Sequence, residues 1–373
     1  MNLKLGRMNN KRKPIFVTQP TLAPLQEYTS LLEEVWTSGI LTHNGPKVQS
    51  LEAKMKEKLG LFNFSLVLNG TVAIQMAIKA LQLKGDIITT PFTWVATISA
   101  IHWEGCNPVF CDIDAETLNI DEDKIESLIT EDTVAIMPVH VFGTACNVEK
   151  IEAIAKKHNL KVIYDAAHAI GSTYKGKSLL QYGDISATSL HATKLFNTGE
   201  GGACITNSLE LQRKLERIRF FGHNEDKEVV EDGFNGKMTE IHAALGIANL
   251  KYFDDVLKDR KEKYLMYLDL LDKSEKLKFQ KIKENETNYS YFPVIFSSEE
   301  ELLKVEKALN DKDIFPRRYF YPSVNTYTKI LNHQPTPISE DISQRIMCLP
   351  LFYDLTPAEI KSIAEIILQK LEH

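Results

Sequence analysis

What most constrains this chain is a rhythm. From about residue 65 to about residue 250, apolar runs of strand length alternate with segments whose apolar residues recur at helical spacing. Parallel strands need a crossover, and a helix is the usual one, so the alternation predicts an α/β domain around a largely parallel sheet. The units can be read directly. Val72 to Leu83 is a helix too apolar for a surface, with Thr71 in the N-cap place and the start at Gly70-Thr71. A strand Asp86 to Thr90 follows, then a helical run from Pro91 to Glu104 that stops at Gly105, then a strand Pro108 to Cys111. Asp121 to Ile129 carries Ile125, Leu128 and Ile129 on one face and leads into a strand Val134 to Val139. Asn147 caps the next helix, and Lys161 to Tyr164 is a buried strand.

Beyond residue 250 the pattern changes to a charged helical stretch (Asn249 to Lys273), a strand Tyr289 to Phe296, a helix opened by Ser298-x-x-Glu301 and a last one opened by Thr356-Pro357-x-Glu359. The division expected is an N-terminal arm with a large α/β domain over 1–250 and a smaller α+β domain over 251–373. No internal repeat or low-complexity linker marks the boundary.

Composition removes whole classes of function. A formal charge of -6 speaks against a binder of phosphate backbones, so nucleic acid is not an expected partner. The cluster Lys11, Arg12 and Lys13 reads as a solvated terminus and receives no function. No run reaches the length of a membrane span and the first 20 residues lack a signal peptide's apolar centre, so the expectation is a soluble, cytoplasmic protein. Cys106, Cys111, Cys146, Cys204 and Cys348 form no CxxC pair, which suggests neither a disulfide framework nor a metal site but reduced, buried thiols.

The usual nucleotide loops are missing, since there is no GxGxxG and no GxxxxGK[ST], and the zinc motif HExxH is absent as well. Gly199-Glu200-Gly201-Gly202 reads by itself as a tight turn. Three features make sense together. Asn69-Gly70-Thr71 at a helix start either caps its own helix or offers free N–H groups to a phosphate. Asp165, in Val162-Ile163-Tyr164-Asp165-Ala166-Ala167-His168, stands at the carboxyl end of a buried strand, where open α/β sheets put their sites, and could equally be a cap. Lys194, in Ser189-Leu190-His191-Ala192-Thr193-Lys194, lies between polar residues and the glycine-rich turn.

On Asp165 to His168 and the run Ser189 to Gly202, the chain resembles the DegT/DnrJ/EryC1/StrS sugar aminotransferases from about Val17 into the C-terminal domain. The resemblance implies the type I (aspartate aminotransferase) fold of pyridoxal-phosphate enzymes, with a mostly parallel seven-stranded sheet and a smaller C-terminal domain. It implies that Lys194 joins pyridoxal 5'-phosphate as a Schiff base and shuttles the proton, and that Asp165 pairs with the pyridine nitrogen. Gly70, Thr71 and Ser189 would hold the phosphate. His168 would lie beside the phenolic oxygen, where relatives often carry Gln, and Trp94 would stack on the ring. Asn235 resembles the asparagine that reaches the phosphate of a neighbouring subunit, although Gly236-Lys237 departs from the Tyr-Arg that many relatives have next. The implied assembly is a homodimer with composite active sites, its monomer inactive.

The reaction so implied is a ping-pong transamination from L-glutamate to a nucleotide-linked keto sugar. Lys194 is retained, whereas relatives that dehydrate sugars carry histidine there. Val17-Thr18-Gln19-Pro20, Leu41 to Pro46 and Asn235 to Met238 look most like the subgroup that aminates dTDP-4-keto-6-deoxyglucose at C4, giving dTDP-4-amino-4,6-dideoxyglucose for O-antigen, lipopolysaccharide or related surface glycans. The same catalytic residues would serve a UDP- or GDP-linked 4-keto sugar or a 3-keto isomer, and a non-catalytic, regulatory pyridoxal-phosphate binder is a further alternative. His191, Arg317 and Tyr321 are candidates for the substrate side, against a solvated arginine and core aromatics.

Overall fold

A computed structural model describes residues 14–283 and 286–372; Lys11, Arg12 and Lys13 lie outside the described residues. Seven strands make the central sheet: β1 (Ser65–Val67), β2 (Asp86–Thr89), β3 (Asn107–Phe110), β4 (Thr133–Met137), β5 (Lys161–Asp165), β6 (Ile185–Ser189) and β7 (Gly202–Ile205), in the spatial order β1-β7-β6-β5-β4-β2-β3. β7 runs antiparallel to both its neighbours, and every other pairing is parallel. The carboxyl ends of six strands therefore share one edge.

The strands read as continuous apolar runs because both faces are covered. Ile88, Ile136, Val162, Tyr164 and Ala203 enter the core on one face, while their chain neighbours Ile87, Ala135, Met137, Ile163 and Cys204 enter the core on the other. That alternation is the two-residue period of a strand. The second face is covered mainly by helix α1 (Gly70–Ala80), which buries Ala73, Ile74, Met76, Ala77 and Ile78.

The boundaries shift in ways that matter for the site. The cap of α1 is Asn69, whose side chain accepts from Val72 N–H at 2.9 Å, and not Thr71. Helix α2 (Val95–Trp103) begins later than the proline at 91, because Trp94, its cap, is still extended with ψ 145°. Between residues 121 and 129 the chain forms one turn of helix, Glu122–Ile125, and then a 3-10 turn, Glu126–Leu128.

The C-terminal core joins the antiparallel strands Leu277–Phe279, Phe292–Phe296 and Ile346–Leu349 to the helices Phe253–Leu271, Glu299–Asn310 and Pro357–Glu372. Thr356 and Glu359 cap each other's backbone at 3.3 and 2.9 Å, as a capping box does. Ser298 caps Glu301 N–H at 3.2 Å, but the Glu301 carboxylate turns to Ser297 instead of closing the box. Ile15 belongs to this C-terminal core, and Ile15–Phe16 pairs in parallel with Ile314–Phe315. The start of the described chain thus packs on the C-terminal unit and not on the large sheet.

Candidate active site

Every loop that leaves the carboxyl edge of the sheet near its centre contributes to one cavity of about 390 Å³, a size that suits a small organic ligand. Asp165 ends β5 and lies at its floor, 5% exposed. Its Oδ2 accepts from the Thr97 hydroxyl at 2.7 Å and its Oδ1 from Ala167 N–H at 3.1 Å. Thr97 is supported in turn by Thr93, whose hydroxyl is 2.8 Å away. Burial pushes the Asp165 carboxyl above its ordinary pKa, and the two hydrogen bonds and the charge of Lys194 pull it part of the way back.

Lys194 reaches the same cavity from the segment after β6. That segment folds on itself: Leu190 N–H donates to Gly201 O, Ala192 N–H to Gly199 O and Lys194 N–H to His191 O, each at 2.8 Å. Burial draws the Lys194 amine down to about 8, with the carboxylate of Asp165 working in the opposite direction. Among the described residues Nζ has no salt bridge or hydrogen bond. An amine in that state is a usable nucleophile and proton carrier near neutral pH.

The start of α1 is squeezed between two strands. A Cβ on Gly70 would come 3.0 Å from Ser189 Cβ, and one on Gly202 would come 2.5 Å from Asn69 O. Bare backbone is what lets β6 and β7 press against this turn, so the glycine-rich run is a brace as well as a turn. Gly70, Thr71 and Ser189 all line the cavity there, beside the first N–H groups of the helix.

His168 is flat against its neighbours, nearly parallel to Phe142 at 6.0 Å and to Phe320 at 6.1 Å. Its Nδ1 accepts from Phe142 N–H at 3.3 Å, and burial holds its pKa well below the ordinary imidazole value. The ring is therefore neutral with its proton on Nε2, a single donor. Trp94 lines the cavity 51% exposed, which is no place for a core aromatic. Arg317 enters from the C-terminal unit, its guanidinium 5.4 Å above the Trp94 ring and 4.8 Å from that of Tyr319.

This donor set fits pyridoxal phosphate. A helix start with hydroxyls suits its phosphate, a buried carboxylate held only by neutral donors has room for a protonated pyridine nitrogen, and an unpaired lysine stands beside them.

Two of the residues singled out in the sequence are not at the cavity. Tyr321 packs on Arg318, 3.5 Å from ring centre to guanidinium, and leaves the lining to Tyr319 and Phe320. Asn235 is exposed outside it, and its Oδ1 accepts from Lys237 Nζ at 2.5 Å. His191 does line the cavity, with Glu200 beside it. The residues that sequence reasoning missed are Thr97, Glu200 and Tyr319. Thr97 meets Asp165 across 68 positions, which no local pattern announces, whereas Glu200 sat in view inside the glycine-rich run.

Among the described residues all five cysteines are free and buried, no cluster of metal-ligating side chains occurs, and no helix is long and apolar enough to cross a membrane.

Comparison with known proteins agrees with this geometry. The model of the DegT/DnrJ/EryC1/StrS aminotransferase family matches residues 25–368. A dTDP-4-amino-4,6-dideoxy-D-glucose transaminase of Shigella dysenteriae is 42% identical over 95% of this chain and 98% of its own length. A GDP-perosamine synthase of Escherichia coli O157:H7 is 35% identical over the same shares. Among solved structures, DesI in the presence of its TDP-sugar product superposes with a TM-score of 0.90 at 27% identity, covering 97% of this chain and 93% of that one. PseC of Helicobacter pylori, an aminotransferase involved in the biosynthesis of pseudoaminic acid, gives 0.89 at 28% identity over 96% and 100%.

Proposed function

The chain belongs to the DegT/DnrJ/EryC1/StrS aminotransferase family, and from that premise we propose that it carries the amino group of L-glutamate to C4 of dTDP-4-keto-6-deoxyglucose. The product is dTDP-4-amino-4,6-dideoxyglucose, a building block for O-antigen or another surface glycan. The protein is a pyridoxal-phosphate-dependent transaminase with the type I fold. One observation carries the reaction class: a lysine drawn toward neutrality and a buried carboxylate open to one more cation share a cavity. The choice of sugar is supported by the Shigella dysenteriae relative, whose likeness spans nearly all of both chains. The lesser likeness to a GDP-perosamine synthase makes a GDP-linked sugar the weaker reading.

When bound, the cofactor supplies a carbonyl carbon that can carry the amino group and a ring that takes up negative charge. The chain's own residues do the rest. Lys194 Nζ would hold that carbon until the amino donor displaced it, and the freed amine, titrating near 8, would be suited to carry a proton to and from the substrate carbon. The Asp165 carboxylate keeps the ring nitrogen protonated. Thr97 keeps Asp165 pointed at it. The Nε2–H of His168 donates toward the phenolic oxygen. Backbone N–H groups at the start of α1, with the hydroxyls of Thr71 and Ser189, bind the phosphate without a side-chain cation. Trp94 would cover one face of the ring, and Arg317 would offer a planar charge to an anionic group of either substrate.

Asn235, exposed and outside its own cavity, is suited to serve the site of a second copy, in keeping with a homodimer of composite sites. Because Lys237 occupies its Oδ1, the free side of the amide is the NH2 group, which suits a phosphate. The setting proposed is the cytoplasm, where nucleotide sugars are made.

The test is to incubate the protein with pyridoxal phosphate, L-glutamate and a panel of dTDP-, UDP- and GDP-4-keto-6-deoxy sugars with a dTDP-3-keto sugar, and to read products by mass spectrometry and NMR. Amination of the dTDP-4-keto sugar at C4 is the expected result. Turnover confined to another member overturns the substrate and leaves the reaction class.

A further inference from the structure

Apart from Asp165, the cavity holds one acidic side chain, Glu200. The two could hardly differ more. Asp165 is buried with both oxygens bonded, whereas the Glu200 side chain is 57% exposed and, apart from His191, has no side-chain partner among the described residues. Its backbone, by contrast, is fixed. The Thr198 hydroxyl donates to Glu200 O at 2.7 Å, and Gly199 has a φ of +78°. A Cβ at position 201 would come 2.3 Å from Thr198 Oγ1, and one at position 202 would strike the start of α1. Positions 201 and 202 have no room for a side chain and position 199 has a left-handed backbone, so within Gly199 to Gly202 a side chain fits without strain only at 200, and there the chain carries a charge that lines the cavity.

His191 stands behind it. Thr193 N–H donates to His191 Nδ1 at 3.2 Å, which leaves the ring's other nitrogen, Nε2, toward Glu200, 3.7 Å from its Oε1. That is too long for a hydrogen bond, and both carboxylate oxygens stay free to accept.

A carboxylate here is costly for the reaction as proposed. Both substrates are anions, one through its two carboxylates and the other through its diphosphate, and a negative side chain repels each. Arg317, the cation of the lining besides Lys194, is the group that would receive those anions. An ionised carboxylate only accepts hydrogen bonds, and among the described residues neither Lys194 nor Arg317 pairs with Glu200, so a donor must come from the ligand. The only donor of glutamate is its ammonium group, which is the group that the transfer itself consumes. The hydroxyl groups of the sugar are the neutral donors that pass through this cavity.

We infer that Glu200, backed by His191, reads a hydroxyl of the acceptor sugar and so sets specificity in the second half of the reaction. This rests on the nucleotide-sugar reading above. The same charge discourages glutamate and free nucleotide, so its removal has opposite effects on different ligands.

The test uses the loaded protein and two non-reacting probes, dTDP-glucose and dTDP, titrated by calorimetry into wild type, Glu200→Gln and Glu200→Ala. Loss of a hydrogen bond to a charged group corresponds to about 10- to 100-fold. Glu200→Ala is expected to weaken dTDP-glucose by that factor while dTDP binds as tightly or tighter, with Glu200→Gln in between. In turnover the KM for the keto sugar rises and the KM for L-glutamate does not. Equal weakening of both probes, or of neither, overturns the role of Glu200 and leaves the nucleotide-sugar reading standing. Wild type that binds neither probe overturns both.

Discussion

The floor of the cavity and its rim are built on different ground. The floor comes from strand ends: Asp165 closes β5, Ser189 closes β6, and Gly70 follows β1, so backbone pairing in the sheet fixes their separations. Its carboxyl is buried and its amine half-buried, and desolvation moves their pKa values in opposite directions, the carboxyl up and the amine down. The rim comes from Trp94, Glu200 and Arg317, which bring exposed aromatic and charged side chains, with Tyr319 and Phe320 behind Arg317 and Phe320 buried against Phe92 and Phe142. A rigid, desolvated floor suits chemistry that all substrates share, and an open rim suits the part that distinguishes them. On this division, changes at the floor act on kcat and changes at the rim on KM.

The largest effect is expected from Lys194→Ala, which removes the group that moves the proton. Turnover falls more than about 10³-fold while the fold and cofactor binding persist, as steady-state kinetics and the cofactor's absorbance would report; partial rescue by a small added amine sharpens the assignment. Asp165→Asn follows, with a loss of about 10² to 10³ in kcat and little change in KM. Near-normal rates there would mean that another group protonates the ring.

A third prediction uses the sign of the shifts. Below a pKa of about 8 the Lys194 amine is protonated and cannot capture the cofactor. Reconstitution of cofactor-free protein should therefore speed up about tenfold per pH unit and level off above that value. Asp165 raises the amine's pKa, so Asp165→Asn moves the bend to lower pH. A rate flat from pH 6 to 9 contradicts this account of the floor. Thr97→Val keeps the shape but strips a donor from a buried carboxylate. A stability loss of about 1–3 kcal/mol, read as a lower Tm, should accompany a fall in kcat with KM unmoved. At the rim the effects are smaller and change in kind. Arg317→Lys loses the planar stack between Trp94 and Tyr319 and should raise KM by about tenfold, whereas Tyr321→Phe, away from the cavity, should stay within about twofold of wild type.

The same division governs how much was legible beforehand. The strands declared themselves because both faces of the sheet are buried, and Asp165 because it follows one of them. The cap of α1 was misplaced by two residues although its start was not: Asn69 and Thr71 are both capping types, and only backbone geometry chooses between them. The extended residues before α2 hid in a helical-looking run after Pro91, and with them went Thr97, whose role depends on a strand 68 positions away. The rim was read least well. Arg317 was found by its charge, but two tyrosines of one short segment look alike in sequence, and the choice of Tyr321 over Tyr319 failed because Arg318 captures Tyr321 outside the cavity.

The central claim is that Lys194, set against Asp165, performs the amino transfer. Its most direct test is to mix the loaded protein with L-glutamate alone and follow the loss of the cofactor's long-wavelength absorbance, in wild type and in Lys194→Ala. The account predicts complete conversion by wild type and conversion by the variant no faster than that of free cofactor. Equal rates in the two proteins, or a wild type whose absorbance does not change, would contradict it.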